Sequence, residues 1–133
     1  MKILMAEDME SVREHLGALL DEVGNVELRF VGQDAALLLQ AIADWQPDTV
    51  IIDTRMRGMM VLGLLQECRE QWPQMAVVVS GVFFEQYYRT AFLRAGANAV
   101  FDKAGDWSEL IALLANRQVQ TAPAAVDVPA LVR

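Results

Sequence analysis

Cysteine and histidine are almost missing from this chain of 133 residues, which has one of each, Cys68 and His15. A single cysteine excludes an internal disulfide framework and fits a reducing compartment. Cys68 falls on the apolar side of a helical pattern, so it reads as a small core residue rather than a reactive thiol. His15 lies in a helical pattern with no second ligand near it in sequence, so it reads as a plain helical residue and not as the site of a histidine kinase. Basic residues are also few, 11 against 18 acidic ones, and the net charge of −7 argues against a direct grip on nucleic acid. No apolar run approaches the ~18 residues needed to span a bilayer, so no membrane segment is expected. Met1-Lys2-Ile3-Leu4 enters a strand directly rather than a signal peptide, and the expected location is the cytoplasm. There are no internal repeats. What remains is 54% hydrophobic, too apolar for disorder and enough for one domain with one sizeable core.

The apolar residues alternate between two periods. Lys2 to Ala6 is a short strand running into Glu7-Asp8. Val12, Leu16, Leu19, Leu20 and Val23 then form a helical stripe, with Ser11 and Glu14 spaced as a capping box and Gly24-Asn25 as the stop. Val26 to Val31 alternates apolar residues with Glu27 and Arg29, which suits an edge strand. Asp34 is placed to cap a second helix with Leu38, Ala41, Ile42 and Trp45 facing inward, and Pro47 breaks the chain after it. The run from Asp48 to Asp53 reads as a buried parallel strand. A loop, Thr54 to Met60, leads to a third helix with Val61, Leu64, Leu65, Cys68 and Trp72 aligned, ended by Pro73. Met75 to Val79 is a fourth strand, ending in Ser80-Gly81. Tyr88, Ala91, Phe92 and Ala95 mark the core face of a fourth helix that stops at Gly96. Asn98 to Phe101 is the fifth strand, ending in Asp102-Lys103. Asp106 and Glu109 are spaced as a capping box for a fifth helix with Trp107, Leu110, Ile111 and Leu114 inward. From Asn116 onward the periodicity fails, and 118–133 reads as a flexible tail after a domain of residues 1–117. Five strand–helix units in strict alternation predict an α/β fold, a parallel sheet covered by helices on both faces.

In open α/β sheets, sites are built at the carboxyl ends of the strands. Those ends carry Glu7 and Asp8 on the first strand, Asp53 on the third, Ser80 on the fourth and Lys103 on the fifth. Three carboxylates brought together repel, so the site is expected to recruit a hard divalent cation, and oxygen donors suit magnesium. Asp53 then has the chemistry of a nucleophile, Lys103 that of a counter-charge for phosphoryl oxygens, and Ser80 that of a hydrogen-bond donor to one of them. Arg55 and Arg57 have the charge for an anion clamp but read first as solvated loop arginines, and the aromatic group Phe83, Phe84, Tyr87 and Tyr88 as packing. The seven methionines read as core filler.

An acidic pair, then Asp, Ser and Lys at successive strand ends resembles the receiver domain of two-component response regulators, over residues 1–117. The resemblance implies a flavodoxin-like five-stranded sheet in the order 2-1-3-4-5. It implies that Asp53 accepts a phosphoryl group from a histidine kinase or phosphotransfer protein, with Mg2+ held by Asp8 directly, by Glu7 through water, by Asp53 and by the backbone carbonyl of Arg55. Ser80 and Lys103 would sense the phosphoryl group. Output would pass to a downstream protein target, with a weak homodimer through the fourth helix, fifth strand and fifth helix. Such a chain is a phospho-acceptor rather than an enzyme, and here a stand-alone one. Four positions depart from the family pattern: Arg57 where proline is usual, Met60-Val61 where Asp-Gly is common, Val100 at the aromatic switch position, and Ala104 where a cis proline usually follows the lysine. A cis bond to alanine costs about 2.5–4 kcal/mol, so a trans bond is expected. Two other readings stand beside it: a pseudo-receiver of the same fold that binds partners without phosphorylation, and an aspartate-nucleophile phosphatase on a related α/β sheet. The second lacks its usual partner, because Arg55 stands where such enzymes carry a second aspartate.

Overall fold

A computed structural model describes residues 1–82, 86–103, 105 and 107–117. Phe83, Phe84, the Lys103–Ala104 peptide bond, the Asp106 cap and the tail 118–133 lie outside the described residues. Five strands and five helices alternate: β1 Lys2–Ala6, α1 Glu10–Asp21, β2 Glu27–Val31, α2 Ala35–Trp45, β3 Thr49–Asp53, α3 Val61–Gln71, β4 Ala76–Gly81, α4 Gln86–Arg94, β5 Ala99–Asp102 and α5 Trp107–Arg117. The strands form one parallel sheet in the order β2-β1-β3-β4-β5. This is the expected flavodoxin-like arrangement.

The pleat divides the sheet's side chains between two cores. Ile3, Met5, Ile51 and Val78 pack with Leu16 and Leu20 of α1 and Leu110 and Leu114 of α5. Leu4, Ala6, Val50, Ile52, Val77 and Val79 point the other way, against α2, α3 and α4. The central strand β3 is buried along its whole length, as its unbroken apolar run requires. The edge strand β2 leaves Glu27 and Arg29 exposed. Cys68 is fully buried, as a core residue is expected to be, and His15 is an exposed residue of α1 with its ring edge-on to Trp107 at 6.2 Å. No described helix is long and apolar enough to cross a membrane.

Helix ends account for most departures from the sequence reading. Asp34 caps α2, its Oδ1 accepting from Leu37 N at 3.0 Å. The Ser11–Glu14 capping box does not form, because α1 begins at Glu10 with Met9 as its N-cap and no side-chain cap. Glu7 is the reason: its Oε2 accepts from Met9 N at 3.1 Å and pins the chain two residues earlier than the Ser11 cap would. Strand β4 runs on through Ser80 and Gly81, since these pair with Asp53 and Asp102. Tyr88, expected on the core face of α4, is 50% exposed; it lies in the first turn, and Phe92 carries that helix's buried contact. The methionines are divided: Met5 and Met75 are core, whereas Met60 is 82% exposed.

Candidate functional site

Each strand ends where the next must stop, so β1, β3, β4 and β5 deliver their last residues to one edge. The register aligns Asp53 with Ser80 and Gly81 with Asp102. Backbone bonds beyond the strands extend that alignment: Thr54 N donates to Ser80 O at 2.9 Å, Lys103 N to Gly81 O at 2.6 Å, and Glu7 N to Val31 O at 2.9 Å. Side chains at this edge are therefore placed by the sheet and not by loop flexibility.

Three of the anticipated residues meet. Lys103 Nζ donates to Glu7 Oε1 at 2.6 Å and to Asp53 Oδ2, bridging the two carboxylates. Glu7 and Asp53 are fully buried, and the Lys103 side chain is 8% exposed. Isolated ions at such burial would be very costly, so pairing is what allows them. One ammonium against two carboxylates leaves the buried group negative. The other oxygen of Asp53 accepts from Arg55 N at 2.8 Å, and the Arg55 Nε lies 3.7 Å from it. Glu7 is further fixed through its carbonyl, which accepts from Arg13 Nε at 2.6 Å.

Asp8 does not join this group. Asp8 turns outward: Oδ1 accepts from Gln33 N at 2.9 Å and Oδ2 from Arg57 Nη1 at 2.9 Å. Hydrogen bonding from Arg57 first, and then from the Gln33 backbone, holds its carboxyl below the usual carboxylate range. Its contribution to stability is therefore present above the unfolded-state pKa and is lost as pH falls through the lower folded one. The convergence of three carboxylates is corrected to two, and no described group of three acidic, His or Cys side chains is gathered for a metal. The partners separate them: Glu7 and Asp53 share Lys103 inside, and Arg57 takes Asp8 in solvent. The Ser80 hydroxyl, buried beside Asp53 in register, donates back to Ile52 O at 3.3 Å.

Arg55 and Arg57 are exposed, as loop arginines are expected to be, and each also lies against a carboxylate, Asp53 and Asp8 respectively. Sequence reasoning missed the Asp8–Arg57 pair, since it spans 49 positions and no local pattern announces it. It also missed an open apolar groove of about 810 Å³ beside the loop after β3, lined by Met56, Met59, Met60, Val82, Tyr88 and Phe92 among others. The groove contains neither Asp53 nor Lys103, so the chemistry is not inside it. At the switch position, Val100 packs into the core on the α2–α4 side, and Phe101 points to the opposite face, 5.2 Å from the Trp107 ring.

Comparison with known proteins agrees with this arrangement. An uncharacterized response regulatory protein of Vibrio parahaemolyticus is 35% identical over 92 residues, covering 67% of this chain and 36% of that protein. The two-component response regulator PhoP of Pseudomonas aeruginosa is 30% identical over 114 residues, covering 86% of this chain and 50% of PhoP. The chain thus spans about half the length, or less, of these curated relatives. Among solved structures, the receiver domain of NtrX from Brucella abortus superposes with a TM-score of 0.73 at 30% identity, over 86% of this chain and 95% of that one. The family model of the response regulator receiver domain matches residues 3–115, and with the 2-1-3-4-5 sheet and its acidic edge the chain belongs to that family.

Proposed function

We propose that Asp53 is the phospho-acceptor of this receiver domain, taking a phosphoryl group from a histidine kinase or phosphotransfer protein. The observation that carries the reading is a buried carboxylate at the C-terminal end of the central strand, paired with Lys103. An Asp53 oxygen forms the bond to phosphorus as the bond from phosphorus to the donor's imidazole nitrogen breaks, the electron pair leaving with that nitrogen. Little covalent work is left to the protein; it positions the groups and neutralises charge. Lys103 already contacts one Asp53 oxygen and is the group to follow the transferred oxygens. Ser80 reaches them by turning its hydroxyl away from the Ile52 carbonyl.

The donor set fits magnesium. Glu7, Asp8, Asp53 and the Arg55 carbonyl are hard oxygens, and the buried group carries an unbalanced negative charge. When bound there, the cation would supply positive charge to the phosphoryl oxygens. Asp8 must leave Arg57 to take part, and Glu7 stays behind Lys103, in keeping with a role through water.

The domain proper is taken as residues 1–117, with the remainder a tail. Output is proposed to go through protein contacts, with a homodimer formed weakly or on phosphorylation through α4, β5 and α5. Tyr87 and Arg94 are exposed on that face. What the longer relatives do with the rest of their length is not carried over to this chain. The test is intact-mass measurement after treatment with acetyl phosphate and magnesium. Wild type should gain the mass of one phosphoryl group, and Asp53→Ala or added chelator should abolish the gain. An undiminished gain in Asp53→Ala would move the acceptor elsewhere; no gain in wild type would favour the pseudo-receiver reading.

A further inference from the structure

Asp8 is the carboxylate of the acidic trio that faces solvent, with 40% of its side chain exposed, and both of its oxygens are occupied. To ligate a hard cation, which demands near-octahedral oxygen donors at roughly 2.0–2.1 Å, Asp8 must give up the guanidinium on Oδ2. That guanidinium is not delivered by a freely swinging loop. Arg57 N donates to Gln33 O at 2.9 Å, and Arg57 O accepts from Ala35 N at 2.8 Å, so the loop after β3 is stitched to the loop after β2. Arg57 is thereby held by its backbone next to Asp8 whether or not the side chains are paired.

We propose that Arg57 is a built-in competitor of the divalent cation for Asp8. It holds the carboxylate in the metal-free protein, is displaced when the metal binds, and so sets the affinity of the site. The proposal rests on the phospho-acceptor reading and names the residue that tunes its metal step. Exposure makes the displacement feasible: Arg57 is 61% exposed, and a solvated ion pair is weak and screened. Lys103 is buried against its two carboxylates, so the exposed pair is the one to open. After release, the tethered backbone keeps Arg57 in the loop beside Asp8, so its positive charge still opposes a second cation there.

The experiment measures magnesium affinity by calorimetry, without phosphodonor, for wild type, Arg57→Met and Arg57→Lys. The Arg57 Nε signal is followed by NMR in wild type during the same titration. Arg57→Met, which keeps the stem and drops the charge, should bind magnesium roughly three- to tenfold more tightly, while Arg57→Lys stays near wild type. The Arg57 Nε signal should shift as magnesium saturates, which a merely structural arginine would not show. Equal or weaker binding by Arg57→Met, or an unmoved Nε signal, overturns the proposal. If the acetyl phosphate mass gain on Asp53 persists in that case, the competitor role alone has failed. If wild type neither binds magnesium nor gains mass, the phospho-acceptor reading has failed with it.

Discussion

With Asp53 phosphorylated as proposed, Arg55 and Val82, two positions beyond Asp53 and Ser80, are the residues expected to flank the water that hydrolyses the aspartyl phosphate. Arginine offers donors but no acceptor to orient the protons of that water, and valine offers no polar atom. Arg55 already lies 3.7 Å from Asp53 and has the reach to cover phosphoryl oxygens. A long-lived phosphoform is therefore expected. Arg55→Asn and Val82→Glu should each speed its decay on the order of tenfold, since alignment of the attacking water is demanding; a wild type that loses its phosphate within seconds would refute the idea. A second residue-scale prediction concerns Cys68, whose thiol burial pushes up to about 11. The folded state then holds the proton more tightly than the unfolded chain, so the thiol's contribution is intact below the unfolded pKa and is lost as pH rises toward 11. Chemical denaturation between pH 9 and 11 should show an alkaline loss on the order of 2 kcal/mol that is absent from the pH slope of Cys68→Ala. Gln33 offers a third case. Its side-chain Nε2 is buried with no hydrogen-bond partner among the described residues, while its backbone makes the Asp8 and Arg57 contacts. Gln33→Met keeps those backbone bonds and should leave the melting temperature unchanged or higher.

At the scale of elements, the stops and starts of helices decide where functional residues land. Helix α4 closes through Gly96 at φ +112°, and a Cβ built there would lie 2.5 Å from Arg69 Cγ. Gly96→Ala should cost about 1–3 kcal/mol in urea denaturation, from left-handed strain plus displacement of Arg69, whose guanidinium bonds the Met75 and Pro73 carbonyls. The Asp34 cap stands beside the strip that joins the loops after β2 and β3. Asp34→Ala should lower stability by ~1 kcal/mol. The start at Asp34 and the stop at Gly96 were readable in sequence because a cap side chain and a terminal glycine act over three or four residues. The start of α1 was not, since Glu7, set by burial and Lys103, determines it.

For the whole molecule, the acidic edge is expected to cost stability, since two buried carboxylates share one ammonium. Asp53→Asn leaves Lys103 paired with Glu7 alone and removes the excess buried charge. It should raise the melting temperature in metal-free buffer by roughly 3–5 °C, about 1 kcal/mol for a domain of this size. Magnesium should stabilise wild type more than this variant through linkage, and a wild type indifferent to millimolar magnesium would count against the metal reading. Asp8→Asn should gain nothing and lower stability slightly, because the Arg57 and Gln33 bonds favour the ionised carboxylate that it removes. The alternation of period-two and helical stripes determined the fold class, the strand ends and the residues Glu7, Asp53, Ser80 and Lys103 at one edge, because burial imposes that pattern locally along the chain. Tertiary structure decided how the charges share partners. Lys103 bridges residues 96 and 50 positions away, and Arg57 takes Asp8 from across two loops, pairings that depend on which strand ends the sheet sets side by side.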